Sequence, residues 1–319
     1  MISQLDATTD DYFKLKGKEV NDLYTETSFV LDYFLKDKKG NYDHHQGGQQ
    51  IEIPLRYDNN ASGFFTRGTP LDSTQRQTIT SVKLPWRYCY GNGTIYQIDM
   101  WENAGPEQKI DMVWHETEGA QLALNETLAT SLWTGLEGDT SNLTGFNAIC
   151  DTTATTDYAG YCSNDIVSND GTKVWTGLGS STTTQLSLSA IRTARTAAAY
   201  GKGKLSEPNF IATTETNYNT IKTILDASQL LTEGVKTAKM GFTGVHFEGA
   251  DIYPDRYCPA SNMYFFNEKH VGFTVNVLWK RLPWQIVAGS PGDKTLKIMF
   301  GGNFTCDNRR SCYRHSAIS

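Results

Sequence analysis

The chain has 319 residues, 39% of them hydrophobic and 20% charged, enough for one large or two medium domains around a sizeable core. Its formal net charge of −6 argues against a dedicated duplex-DNA reader, whose footprint is basic, but not against a protein that encloses nucleic acid without reading it. No apolar run approaches the roughly eighteen residues of a membrane helix, and the start MISQLDATTDDYF lacks the basic flank and apolar core of a signal peptide, so folding in a cytoplasm is expected.

In chain order, residues 1 to 40 are polar apart from Phe29, Val30, Tyr33, Phe34 and Leu35, which Lys36, Lys38 and Lys39 close. This predicts a short amphipathic helix with cations at its C-terminal end, preceded by an arm that needs a partner surface to become ordered. The link HHQGG reads as flexible. From Gln49 the run QQIEIPLRY alternates, with Ile51, Ile53, Leu55 and Tyr57 on one face, as a half-buried strand does. A return run places Val82, Leu84, Trp86, Tyr88 and Tyr90 together, and Gly91-Asn92-Gly93 reads as a turn before TIYQIDM. Between the strands lies a tip carrying Phe64, Phe65 and Arg67 with little local core to receive them. An isolated hairpin is marginal in water, so these aromatics are expected to be buried against a neighbouring subunit.

A long helix is predicted over 106–134, with Pro106 in its first turn, Glu107 where the helix dipole favours an anion, and Gly135 as its stop. Its apolar stripe is Ile110, Val113, Ala120, Leu124, Leu128 and Leu132, flanked by Trp114 and Trp133. Residues 140 to 182 read as an exposed insertion. Beyond them, helix LSLSAIRTARTAAAY, strand PNFIATT, helix ETNYNTIKTILD and strands in GVHFEGADIYPD, NMYFFNEKHVGFTVN and TLKIMFGGNFT predict an α+β domain around a central sheet.

Chemistry-bearing patterns are sparse. GxGxxG after a strand, GxxxxGK[ST], HExxH and GxSxG are all missing. The adjacent pair His44-His45 points to two sides of any regular element; His115, Glu116 and Glu118 read as a charged helix face. Asp99, Glu102, Glu107 and Asp111 read as dipole complements around a helix start. Cys306, Cys312 and His315 are close in sequence, but a metal site there needs a fourth ligand and another spacing. Six cysteines are too few for a disulfide scaffold. No catalytic residue, cofactor or metal site is expected, and the protein is not expected to be an enzyme. The five N-x-S/T triplets, at Asn60, Asn92, Asn125, Asn142 and Asn303, read as chance matches.

The order of GGQQIEIPLRY, VKLPWRYCYG, a spine-length helix ending LWTG, LTGFNAI, CPASNMYFFN and a closing GGNFTCDNRR resembles the major capsid proteins of tailed double-stranded-DNA bacteriophages, from about Thr25 to the C-terminus. The resemblance implies the α+β tailed-phage capsid fold. Residues 1–46 would be the N-terminal arm and 47–92 the E-loop hairpin that laps over an adjacent subunit. Residues 93–141 and 275–308 would be the P-domain with its spine helix, and 142–274 the A-domain, completed by 309–319. It implies a homo-oligomer of pentamers and hexamers forming an icosahedral virion shell, assembled in the host cytoplasm around double-stranded DNA bound without sequence specificity. Portal and separate scaffolding or decoration proteins would be its partners, with no membrane. Some relatives weld subunits through an E-loop lysine; no lysine lies between Lys39 and Lys83, so no such cross-link is expected. The insertion holding Cys150 and Cys162 departs from relatives, and a bridge between them would require an oxidising exterior. Two other readings stand beside this one: a nanocompartment shell of the same fold enclosing cargo, and a glycan-binding surface protein motivated by the aromatic and Asn/Thr content.

Overall fold

A computed structural model describes residues 28–103, 112–152, 157–183, 185–199, 207–227, 245–290 and 292–318. The arm before Ser28 and the predicted helix start with Pro106, Glu107, Ile110 and Asp111 lie outside these residues. The elements are α1 (Phe29–Leu31, running on as a π-helical turn Asp32–Lys36), β1 (Asp43–His44), β2 (Gln50–Arg56), β3 (Ile79–Pro85), β4 (Arg87–Ile95), α2 (Gln97–Glu102) and α3 (Met112–Thr134). They continue with α4 (Phe146–Ile149), β5 (Leu178–Ser180), α5 (Leu188–Ala197), β6 (Phe210–Thr213), α6 (Glu215–Ala227), β7 (Val245–Phe247) and β8 (Ala250–Pro254). The last are β9 (Asn262–Phe266), β10 (Val271–Arg281), β11 (Gln285–Ile286), β12 (Lys294–Cys306) and β13 (Tyr313–Ser316).

The described chain forms two compact units, one of residues 88–128 and 276–301, the other of 28–87, 129–275 and 302–318. The larger is built on a six-stranded sheet ordered β5-β13-β9-β6-β8-β7. Both its faces are covered, which is why MYFF in β9 is a continuous apolar run rather than an alternating one. Met263 and Phe265 join Ile211 and Ile252 in a core with Ile191 of α5 and Ile221 and Leu225 of α6. Tyr264 and Phe266 belong to the opposite, aromatic layer with Trp133 and Phe146, whose ring stacks on Phe266 at 4.2 Å between centroids.

The first predicted helix enters this aromatic layer. Phe29, Val30, Leu31, Tyr33, Phe34 and Leu35 are all buried, so the segment is apolar nearly all round rather than amphipathic. Ser28 caps it, its hydroxyl accepting from the Leu31 N–H at 3.2 Å. The HHQGG link also takes structure at its start: Asp43 and His44 pair in parallel with Thr274 and Val275.

In the smaller unit β4 runs straight from Arg87 to Ile95, so Gly91-Asn92-Gly93 is strand, not turn. The two glycines lie under the long helix. A Cβ at Gly91 would fall on the Ala120 carbonyl oxygen, and one at Gly93 would come within 2.7 Å of the Glu116 carbonyl oxygen. TIYQIDM accordingly divides into the end of β4 and α2, whose first N–H, at Gln97, donates to Asp293 at 2.9 Å. On α3, Ala120, Leu124, Leu128 and Leu132 are buried as the spacing predicts, but Val113 and Trp114 are exposed.

Candidate functional site

The hairpin is the part of the larger unit whose apolar side chains have least to pack on. β2 and β3 pair antiparallel from Gln50↔Pro85 to Arg56↔Ile79 and form a two-stranded sheet of their own. Its root is anchored: Ile51, Val82 and Leu84 are buried, and the Trp86 indole N–H donates to the Gly48 carbonyl at 3.0 Å. Beyond Tyr57, whose N–H closes on the Thr78 carbonyl, regular pairing stops. The tip then presents Phe64 at 110% and Phe65 at 67% exposure, with Leu71 also exposed. Thr66 and Thr69 close a turn at 3.0 Å with Gly68 at φ +89°, and Arg67 projects from it into solvent. The three tip residues read from the sequence are thus brought together on one segment.

The return strand corrects the sequence reading at one point. Val82 and Leu84 face inward, but the strand breaks at Trp86 and its alternation changes phase. Tyr88 and Tyr90 therefore lie on the exposed face of β4, while Gly91, Gly93 and Ile95 lie on the buried one. In the smaller unit Tyr96, Ile98 and Trp101 are exposed as well. Val113 and Trp114 line a groove of about 490 Å³ together with Glu118 and Arg281.

Three buried polar groups hold the hairpin root and the sheet, and sequence reasoning did not single them out. Asn303 is fully buried and uses its whole amide. Its Oδ1 accepts from the Thr144 and Phe304 N–H groups, and its Nδ2 donates to the Pro85 carbonyl at the end of β3 and to Thr144 Oγ1. Arg309, also fully buried, donates to the carbonyls of Ala148, Ile149, Asp151 and Trp175 at 3.0–3.1 Å. Its guanidinium sits over the Tyr158 and Trp175 rings. Asp255 accepts from Ser28 Oγ, the Val30 and Tyr257 N–H groups and Trp133 Nε1, and burial raises its carboxyl above the ordinary range. The signal for the first two was in the closing GGNFTCDNRR, where an asparagine sits within an apolar strand and an arginine opens the turn just after it.

Residues 140 to 182 are correspondingly not an exposed insertion. Tyr158, Ile166 and Trp175 are buried, and the Tyr158 hydroxyl accepts from the Cys306 N–H at 2.8 Å. Tyr158 and Tyr161 bond each other's backbone around Ala159 and Gly160, both at positive φ, a tight type I′ turn. That turn touches the hairpin: Lys83 N–H donates to the Ala159 carbonyl at 3.3 Å, and Glu137 Oε1 accepts from the Gly160 N–H at 2.7 Å.

The remaining candidates stay apart. His45 pairs with Asp43 at 2.8 Å on the surface. His115, Glu116, Glu118, Asp99 and Glu102 are partly or fully exposed, and Glu107 and Asp111 lie outside the described residues. Cys150 and Cys162 are both free, and Cys150 lies within hydrogen-bond reach of Cys312. His315 is buried on β13 with its Nδ1 unbonded, and burial pushes its pKa below the ordinary value. A His270–Asp307 pair at 2.7 Å, 37 residues apart in sequence, lines a groove of about 370 Å³ with Arg56 and Trp175.

No protein-family model matches this sequence, and no curated protein does. Solved structures match it by fold. The capsid asymmetric unit of cyanophage A-1(L) is 18% identical, covering 94% of this chain and 96% of that chain with a TM-score of 0.69. The capsid of a native GTA particle is 10% identical over 94% and 95%, with a TM-score of 0.63. The capsid of Myoviridae phage XM1 is 11% identical over 100% and 98%, with a TM-score of 0.55. The chain therefore has the α+β tailed-phage capsid fold that its sequence led one to expect.

Proposed function

We propose that this chain is a structural major capsid protein, not an enzyme, which assembles as pentamers and hexamers into an icosahedral shell around phage double-stranded DNA. The observation that carries the reading is the capsid fold over 94% of the chain together with a hairpin tip that has no core of its own. In this reading residues 1–46 are the arm, 47–92 the E-loop, 93–141 and 275–308 the P-domain, and 142–274 with 309–319 the A-domain. Phe64, Phe65 and Arg67 dock on a second copy. The groove of Val113, Trp114, Glu118 and Arg281 suits them, with an apolar wall for the rings and a carboxylate for the arginine. Burying the two rings contributes roughly 3–6 kcal/mol per contact, repeated around every ring of subunits. DNA contact is weak and independent of sequence, consistent with the chain's net charge of −6. A portal and separate scaffolding or decoration proteins complete the particle.

The test is negative-stain electron microscopy of the purified full chain with sedimentation in parallel. Closed shells or rings of five and six are expected. A compact monomer whose segment 47–92 resists protease would overturn the reading, since the hairpin would then have its partner within its own chain.

A further inference from the structure

The end of β12 and the start of β13 bring two thiols face to face. Cys306 Sγ and Cys312 Sγ are 3.9 Å apart, both fully buried, on either side of the 3₁₀ turn Arg309–Ser311. We propose that Cys306 and Cys312 are an oxidation site that closes to an intramolecular disulfide when the protein meets a peroxide. The sulfurs must approach by about 2 Å to reach bonding distance, and the segment that must give is the short turn between them. Burial, with the neighbouring thiols beside them, holds both thiols well above their ordinary pKa, and in a reducing compartment the pair stays reduced.

The chemistry balances with hydrogen peroxide as the oxidant, a molecule small enough to reach a site closed to larger disulfides. One sulfur attacks a peroxide oxygen: an S–O bond forms, the O–O bond breaks, and the departing hydroxide leaves as water with the thiol proton. The second sulfur then displaces the sulfenic oxygen: the S–S bond forms, the S–O bond breaks, and a second water leaves. Two thiols are oxidised and one peroxide is reduced. The product staples the two strands across Arg309, whose guanidinium already gathers four backbone carbonyls of the 148–175 region. Cys150 also approaches Cys312, but sits on a separate segment.

The occasion for oxidation, passage of a shell from a reducing cell into an oxidising exterior, rests on the shell reading. The bond itself is tested on purified full chain, so its failure and the failure of assembly are read separately. Protein is incubated with and without hydrogen peroxide, denatured, alkylated and digested with trypsin, which cuts after Arg309 and Arg310 between the two cysteines. Expected is a linked peptide pair carrying Cys306 and Cys312, about 2 Da lighter than its reduced parts. Four cysteines are then alkylated, where the untreated chain has six. The same pair should form in Cys150→Ser. Six alkylated cysteines after treatment, a Cys150–Cys312 bridge, or sulfinic acid at Cys306 without a link would each overturn the proposal.

Discussion

At the scale of single residues, the fold depends on a few buried polar groups whose partners come from far along the chain. Asp255 is the clearest, because it satisfies the helix cap at Ser28, the indole of Trp133 and the backbone at Tyr257 at once. Asp255→Ala leaves those donors buried and unanswered, and should cost about 3–5 kcal/mol of stability, read as a lowered midpoint in urea denaturation. His315 gives a pH dependence whose sign follows from its burial. Its folded pKa lies below the ordinary 6.5, so the unfolded chain takes up the proton first. Its contribution to stability is therefore complete above pH 6.5 and is lost as pH falls through that value toward the folded pKa. His315→Leu should flatten this loss; equal slopes for both proteins in denaturation from pH 7 to pH 5 would assign the acid sensitivity elsewhere.

Among elements, the contact of β4 with α3 is set by what glycine lacks. Gly91→Ala places a methyl group on a helix carbonyl and should destabilise by about 3 kcal/mol or more. Gly119 is the control: it lies within the same helix with open space where its Cβ would be, so Gly119→Ala should be stabilising by about 0.5–1 kcal/mol. Thermal unfolding of both variants checks the pair, and a neutral Gly91→Ala would mean that strand and helix can separate. These glycines also mark where sequence reading reached its limit. In the large sheet β6 to β9 were legible because each is a short apolar run beside polar turns, and α5 and α6 because their stripes keep period; β5 and β13 carry no such run and were not read as strands. A glycine pair in a strand looks the same as a glycine pair in a turn until the helix above it is known. The phase change at Trp86 is equally silent, since tryptophan and tyrosine suit either face. In the 140–182 region Tyr158, Ile166 and Trp175 follow no period at all. Tyr158 and Trp175 pack under Arg309, more than 130 residues further on, so no local pattern could reveal their burial. The hairpin tip was legible for the opposite reason: its rings had no local partner to find, and in the folded chain they are exposed.

For the whole molecule the same tip separates folding from assembly. Phe64→Asp with Phe65→Asp alters side chains that touch little in the monomer, so stability should stay within about 0.5 kcal/mol of the parent. Shell formation should be lost, seen as slow-sedimenting species where the parent forms particles; particles at parental yield would free the tip of any role. The absence of lysine from residues 40–82 carries its own expectation for mature shells. Boiled in detergent they should run as single chains on a gel, and a ladder of covalent multimers would contradict it. The tryptophans offer an optical consequence of the same architecture. Trp133 and Trp175 are sealed in the interior, the latter donating to the Tyr158 carbonyl at 2.9 Å, whereas Trp101 and Trp114 face solvent. The free subunit must therefore emit as two populations, a blue one that iodide cannot reach and a red one that it quenches. Whatever fraction of the red emission becomes shielded as subunits associate gives a clock for the growth of the shell, without any label added to the protein.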